Sequence, residues 1–326
     1  MFRIIGKTNI DFISQRRYSF VVSGILLLVG LFAFSMILLE KAKFGIDFSG
    51  GTEVAGIFEK PITTEELRTA LTDEGLTGAR IQTYQISDTT AFLIKIKSGT
   101  VTEADIETSE VTDTALMAEN ILAERVGEKI LSVINDKFPG NDFHMLYSNI
   151  TDPSIGRELK DQAAWMVIAA VIGILLYIWI RFDFRFGVAA TFTTFHDVLL
   201  VLGIMFLLGR EVSILLVTAL LTLAGYSLTD TVVVFDRIRE NLKTFRRKGD
   251  FVSTVNLSIN EVLSRTLVTS ITTLSVVTVL FIFGGEVVHD FALTLIFGIV
   301  VGTYSSIFVA SPLIVVWENL APKRFK

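Results

Sequence analysis

The sequence predicts a polytopic α-helical membrane protein that carries one α+β domain outside the bilayer. Six apolar runs, at 18–39, 163–180, 187–208, 212–234, 263–284 and 291–313, are each long enough to cross a hydrocarbon core, which takes ~20 residues. The chain is 51% hydrophobic and only 19% charged, against ~25% charged residues in a soluble chain. One long polar stretch, 40–162, separates the first run from the second and alternates between strand and helix periodicity.

Taken in order, residues 1–17 form a basic N-terminal segment and 18–39 the first span. That run of 22 residues exceeds a signal-peptide core, and no small-x-small cleavage pattern follows before Glu40 and Lys41, so a retained anchor is expected. In 40–162, residues 52–58 and 91–97 read as strands, the second alternating Phe92, Ile94 and Ile96 with Lys95 and Lys97. A helix starts at Thr63, whose capping box is closed by Glu66, and aligns Leu67, Ala70 and Leu71. A second helix aligns Ala118, Ile121, Leu122, Val126, Ile130, Val133 and Ile134 and stops at Phe138 and Pro139. Further strands near 79–86 and 142–150 complete the order β-α-β-β-α-β, the pattern of a ferredoxin-like split βαβ domain. Residues 98–113 read as a solvated Ser/Thr/Glu-rich connection. Residues 163–317 hold the second to sixth spans, and 318–326 a tail.

Charge sets the expected topology. The net charge of −5 conceals −10 on 40–162 and +5 on the remainder. The N-terminus, the loop at Arg181 and Arg185, the 237–248 run and the tail carry 15 basic residues, whereas the short loops on the other side carry only Arg210. By the positive-inside rule both termini are cytoplasmic and 40–162 lies outside. The 237–248 run is placed to meet anionic lipid or a partner. The chain has no cysteine, which excludes disulfides, thiolate metal sites and a Cys nucleophile. Its three histidines lack metal-ligand spacing, so no metal is expected. The segment 45–52 (GIDFSGGT) lacks the GKS/T ending of a phosphate loop and reads as a tight turn into the first strand. No cofactor, catalytic group or nucleic-acid partner is expected.

An ionisable side chain in a span costs ~2.5–3.5 kcal/mol on insertion scales and requires a partner or a purpose. Asp230, in the fourth run, and Arg265, opening the fifth, fall at similar depth. They continue helical stripes of Thr218, Thr222, Tyr226 and Thr229, and of Thr269, Thr272 and Thr273, which are expected to face the bundle interior or a wet crevice. Two readings follow: an ion relay in which Asp230 takes up and releases the ion while Arg265 pairs with it in one conformation, or a structural ion pair with Arg265 snorkelling to the interface. His196 and Asp197, near the middle of the third run, either extend the relay or form an ordinary buried hydrogen-bonded imidazole. His289 and Asp290 border a short loop and are expected to be solvated. The Gly298-x-x-x-Gly302 step, followed by Thr303, Ser305 and Ser306, favours close helix packing.

Segments 44–52 (FGIDFSGGT), 225–241 (GYSLTDTVVVFDRIREN) and 264–274 (SRTLVTSITTL) resemble the SecF branch of the SecD/SecF family of bacterial protein-export subunits. Residues 153–165 (PSIGRELKDQAAW) and the His196-Asp197 pair support the likeness. The resemblance implies an RND-like six-helix bundle with a periplasmic domain, located in the bacterial inner membrane. It implies pairing with SecD, work with the SecYEG channel on a translocating preprotein, an indirect link to SecA, and contact with membrane lipid. It also implies that the proton or sodium motive force moves the outer domain, with Asp230 and Arg265 matching the family's ion-coupling Asp and Arg. Thr229 stands where the family usually has Asn. The packing change released at Asp230 is expected to reach the outer domain through the first and second spans. Alternatives are an RND-type exporter of small molecules or lipids, which needs a large apolar pocket, and an assembly scaffold that transduces nothing.

Overall fold

A computed structural model describes residues 8–86, 89–97, 115–244 and 250–321, with side chains described throughout except at 115–124, 153–154 and 286–287. The 98–113 connection, Arg3, Lys7, Arg246, Arg247, Lys248, Lys323, Arg324, Lys326 and the side chains of Ala118, Ile121 and Leu122 lie outside the described residues.

After a single 3₁₀ turn, α1 (Arg16–Leu38) crosses the apolar layer. A short helical turn, α2 (Ile46–Ser49), precedes β1 (Gly51–Phe58), α3 (Thr64–Asp73), β2 (Arg80–Ile86), β3 (Thr89–Lys97), α4 (Ala115–Lys137) and β4 (Phe143–Thr151). The four strands form one antiparallel sheet in the order β2-β3-β1-β4, as a ferredoxin-like domain requires. Thr63 and Glu66 close the expected capping box at the start of α3, donating 2.8 Å and 3.2 Å hydrogen bonds reciprocally from their backbone N–H groups. One face of the sheet buries Val54, Phe92, Ile94 and Ile96 against Leu67 and Leu71 of α3 and Val126, Ile130 and Ile134 of α4. Gly50 and Gly51 turn the chain from α2 into β1 with φ of 72° and 148°, and a Cβ at Gly51 would meet the Ile96 carbonyl oxygen at 2.3 Å. Only glycine fits there.

Five further helical segments complete the bundle: α5 (Pro153–Arg181), α6 (Phe184–Leu207), α7 (Ile214–Thr244), α8 (Phe251–Phe283), and α9 (Gly285–Ser305), which continues through a π-helical turn (Ser306–Ala310) into α10 (Ser311–Leu320). Together with α1 these make six helical spans long and apolar enough to cross a membrane. α6 and the α9–α10 span are the most enclosed, while α1, α5 and α8 leave most of their apolar surface open. α7 and α8 run well past the apolar runs at 212–234 and 263–284. Their polar extensions are tied together by Arg237, which bonds Glu261 at 2.7 Å and Glu240 at 2.5 Å, and by Asn241, which bonds Glu261 at 2.7 Å and Ser258 at 3.0 Å. The continuous apolar runs stop short of the helix ends, but spaced apolar residues in the extensions, Ile238, Val255 and Ile259, are still buried.

The sheet is joined to the bundle at the start of α7. Gly45 N–H donates to the Val212 carbonyl and Val212 N–H to the Lys43 carbonyl, both at 2.8 Å, and Asp47 accepts the Ile214 N–H at 3.1 Å. Glu211 pairs with Arg80 of β2 at 2.9 Å and Lys97 of β3 at 3.3 Å. Asp290, expected to be solvated, is half-buried and paired with Arg210 at 3.0 Å, and the His289 ring lies 4.2 Å from the Phe281 ring. A cavity of about 530 Å³ at this junction is lined by charged groups, among them Glu53, Arg80, Lys95 and Asp290, and by apolar ones such as Ile46, Leu208 and Leu215.

Candidate functional site

Two carboxylates lie inside the helical bundle. α6 buries Asp197 completely, and α7 buries Asp230 to 8% exposure. Asp230 accepts a hydrogen bond from the Ser306 hydroxyl at 2.6 Å. Asp197 accepts from Ser305 at 2.6 Å, from Ser227, and faces His196 Nδ1 at 2.8 Å. The two serines are consecutive, one ending α9 and the other opening the π-helical turn, so a single stretch of backbone serves both acids.

The local sequence explains how that stretch reaches them. A Cβ at Gly298 would meet the Leu223 side chain at 2.6 Å, and one at Gly302 would come within 3.3 Å of Ser227 Cβ. The glycine step therefore lets α9 lie close enough to α7 for hydroxyls to bridge. The π turn widens the helix and leaves backbone carbonyls without ordinary partners. Ser311 donates to the Ser306 carbonyl and Ser19 of α1 to the Phe308 carbonyl, both at 2.9 Å. A second relay of hydroxyls ties the same helices: Tyr226 donates to Ser270 at 3.0 Å, and Ser270 bonds Thr303 at 2.7 Å.

The polar stripes divide differently from expectation. Thr218, Thr222 and Thr229 lie on the exposed side of α7, each donating to its own i−4 carbonyl. Arg265, Thr269 and Thr272 are exposed on α8. One residue is a 100° step around a helix, so Asp230 turns inward while its neighbour Thr229 turns outward. Among the described residues Arg265 makes no ion pair, and Asp230 is held by a hydroxyl rather than by a cation. Thr266, beside Arg265, turns inward and is buried. The structure thus brings Asp230, Asp197 and His196 into one region and leaves Arg265, Thr229 and Thr269 on the surface of this chain.

Ser227, Ser305 and Ser306 are site residues that the sequence shows only as small residues suited to packing. For Ser305 and Ser306 the spacing after Gly298 and Gly302 carries the signal, because it keeps them on the face of the helix that packs closely; Ser227 has no such signal. No group of three or more His, Asp or Glu side chains able to hold a metal occurs among the described residues. Carboxyl and imidazole groups of this kind are proton-exchanging side chains.

Comparison with known proteins places these features in a wider setting. Residues 132–320 match the family model described as protein export membrane protein SecD/SecF, C-terminal. The chain is 45% identical over 315 residues to protein translocase subunit SecF of Thermodesulfovibrio yellowstonii, covering 96% of each chain. It is 40% identical to that of Rhodothermus marinus, covering 99% of this chain and 97% of the relative. Among solved structures, the crystal structure of SecDF, a translocon-associated membrane protein from Thermus thermophilus, superposes with a TM-score of 0.75 at 36% identity. The match covers 98% of this chain and 40% of that one, so the chain spans less than half the length of the solved protein.

Proposed function

The chain belongs to the SecD/SecF family of protein export membrane proteins, and from that premise we propose that it is an ion-coupled motor subunit in which Asp230 carries the ion. A Sec translocase accessory role is common to the family. The finer reading adds a SecD partner, a SecYEG channel passing a preprotein that SecA has started, and a gradient of protons or sodium across the bacterial inner membrane. In it both termini are cytoplasmic and the sheet domain is periplasmic.

The observation that carries this reading is Asp230 itself, buried in a membrane span and satisfied by one movable hydroxyl. The Ser306 hydroxyl has a single proton to donate and two acceptors in reach, the Asp230 carboxylate at 2.6 Å and the Thr303 carbonyl at 3.1 Å. Ionised Asp230 draws it across to α7; protonated Asp230 lets it fall back onto its own helix, which loosens the π turn from α7. α7 is in turn attached at its other end to the sheet domain through Asp47, Val212 and Glu211. This supports a more direct path from Asp230 to the outer domain than one through α1 and α5. Arg265 and the outward hydroxyls of α7 and α8 form a polar face suited to a partner's helices, where Arg265 finds its counter-charge.

The energetics favour several ions per cycle. One charge moving down the potential yields ~2.3 kcal/mol per 100 mV, and inverting a two-state population from 1:99 to 99:1 takes ~5.5 kcal/mol. The test is translocation of a preprotein into inverted membrane vesicles, begun with ATP and continued on an imposed proton or sodium gradient. Asp230→Asn at matched complex levels is expected to keep the ATP-driven phase and lose the gradient-driven one. Undiminished gradient-driven transport would overturn the reading and favour a scaffold.

A further inference from the structure

We propose that His196 and Asp197 form a second proton-binding site, filled and emptied in concert with Asp230. The inference deepens the reading of Asp230 as the coupling group and rests on it.

His196 is 2% exposed. Its Nδ1 faces Asp197 Oδ1 at 2.8 Å, while its Nε2 is buried without a hydrogen-bond partner. A buried polar atom left unpaired requires a reason. With Nδ1–H donating to the carboxylate, Nε2 holds the free lone pair. A proton arriving there makes an imidazolium beside a carboxylate, a pair of zero net charge that a low-dielectric interior tolerates better than either ion alone. When that proton leaves, Asp197 retains the hydroxyls of Ser227 and Ser305. The site is therefore satisfied around its carboxylate in both states, and the incoming proton settles on the nitrogen.

The link to Asp230 is structural. Ser305 and Ser306 hold the two acids from adjacent positions on one turn, so that moving the turn to suit one acid moves the hydroxyl that serves the other. Neutralising one site thus changes the cost of charging the other, so the two titrate as a coupled system. Other groups do not intervene. The parts of α1, α5 and α9 beside this level, residues 18–38, 162–180 and 291–305, hold no Asp, Glu, Lys, Arg or His, and tyrosines 18, 177 and 304 are their only titratable groups. α7 contributes Asp230 and Tyr226, whose hydroxyl is engaged with Ser270, and Glu318 of α10 is paired with Arg185 at the end of α6. A second proton doubles the work that each cycle draws from the potential.

The chain has three histidines, which makes direct observation practical. The ¹⁵N-histidine-labelled chain is reconstituted with its unlabelled SecD-type partner in proteoliposomes and followed by solid-state NMR, with His144→Gln and His289→Gln assigning the remaining signal. His196 is expected to show both neutral imidazole and imidazolium signals across a pH series in which the complex stays folded, with the balance between them displaced in Asp230→Asn. A neutral His196 throughout the series, or a balance identical in the two proteins, overturns the proposal. In the vesicle assay, His196→Gln is expected to reduce the steepness of the pH dependence from two protons to one; unchanged steepness also overturns it. A titration linked to Asp230 in a protein whose Asp230→Asn variant still translocates on the gradient would keep the paired proton sites and overturn the motor reading alone.

Discussion

Thr63 and Glu66 hold α3 at its first turn, and both make predictions that a single side chain can test. The Thr63 backbone N–H, then its hydroxyl, hold the Glu66 carboxyl below its ordinary value of 4.5. A carboxyl lowered in the folded state stabilises it above the ordinary value, and that contribution is lost as pH falls through the lowered one. Protection of the α3 amides, corrected for the pH dependence of intrinsic exchange, is therefore expected to fall on acidification below about pH 4.5 more in the native protein than in Glu66→Gln. Thr63→Ala is expected to cost about 1 kcal/mol, read as roughly fivefold faster exchange of the same amides at neutral pH. In the bundle, Ser306→Ala removes the hydroxyl that Asp230 uses. A hydrogen bond to a charged group is worth about 1.5–3 kcal/mol, so gradient-driven translocation is expected to fall by about tenfold or more while the complex still assembles. An unchanged rate would show that the serine is packing alone.

Helix against helix, α1 meets α6 backbone to backbone. A Cβ at Gly30 would meet the Leu199 carbonyl oxygen at 2.1 Å, and one at Gly203 would meet Gly30 N at 2.8 Å. The obstruction is backbone, which cannot swing aside as a side chain can. Gly30→Ala is expected to destabilise the chain by about 1–3 kcal/mol, seen as a lower melting temperature in detergent. Gly24→Ala, on the same helix with nothing within 4 Å, is the control and is expected to melt like the native chain. α8 is held in a different way: its Asn256 and Asn260 accept backbone N–H groups of Phe12, Ile13 and Ile10, fastening the N-terminal segment across it.

At the scale of the whole molecule, the sheet domain meets the bundle through Glu211, which gathers Arg80 and Lys97 from two strands. These pairs are partly exposed, and such pairs contribute about 0–1 kcal/mol each, so their role is to orient the domain. Glu211→Ala is expected to leave the fold intact and widen the distribution of distances between the sheet domain and the bundle. Spin labels placed on single cysteines at the exposed helical positions Asn135 and Leu207, in this cysteine-free chain, would measure it. An unaltered distribution would assign the joint to the Lys43, Gly45 and Val212 backbone bonds. The cavity at this joint mixes charged groups such as Glu53, Arg80 and Asp290 with the apolar Ile46, Leu208 and Leu215.

Much of this protein is determined by its sequence. Apolar run length gives six spans, alternation in 91–97 gives β3, the Thr63–Glu66 spacing gives a helix start, and one acid in a run of Leu, Thr and Val marks Asp230. Each is a local property, fixed by covalent spacing and by the cost of placing a residue in water or lipid. The tertiary structure alone decided which way each helix is turned. The rotation of α7 about its axis comes from packing against α6 and α9, and it placed Asp230 inward with Ser306 and Thr229 outward. Where α7 and α8 end was also decided there, since 235–244 and 251–262 are too mixed in polarity to read as spans and stay helical as Phe235, Ile238, Val255 and Ile259 pack into one core and Arg237 and Asn241 bond Glu261. The Ser305–Ser306 bridge, joining α9 to acids 108 and 76 residues away in sequence, exists only once three helices are packed, because no local pattern records the partner that a hydroxyl will meet.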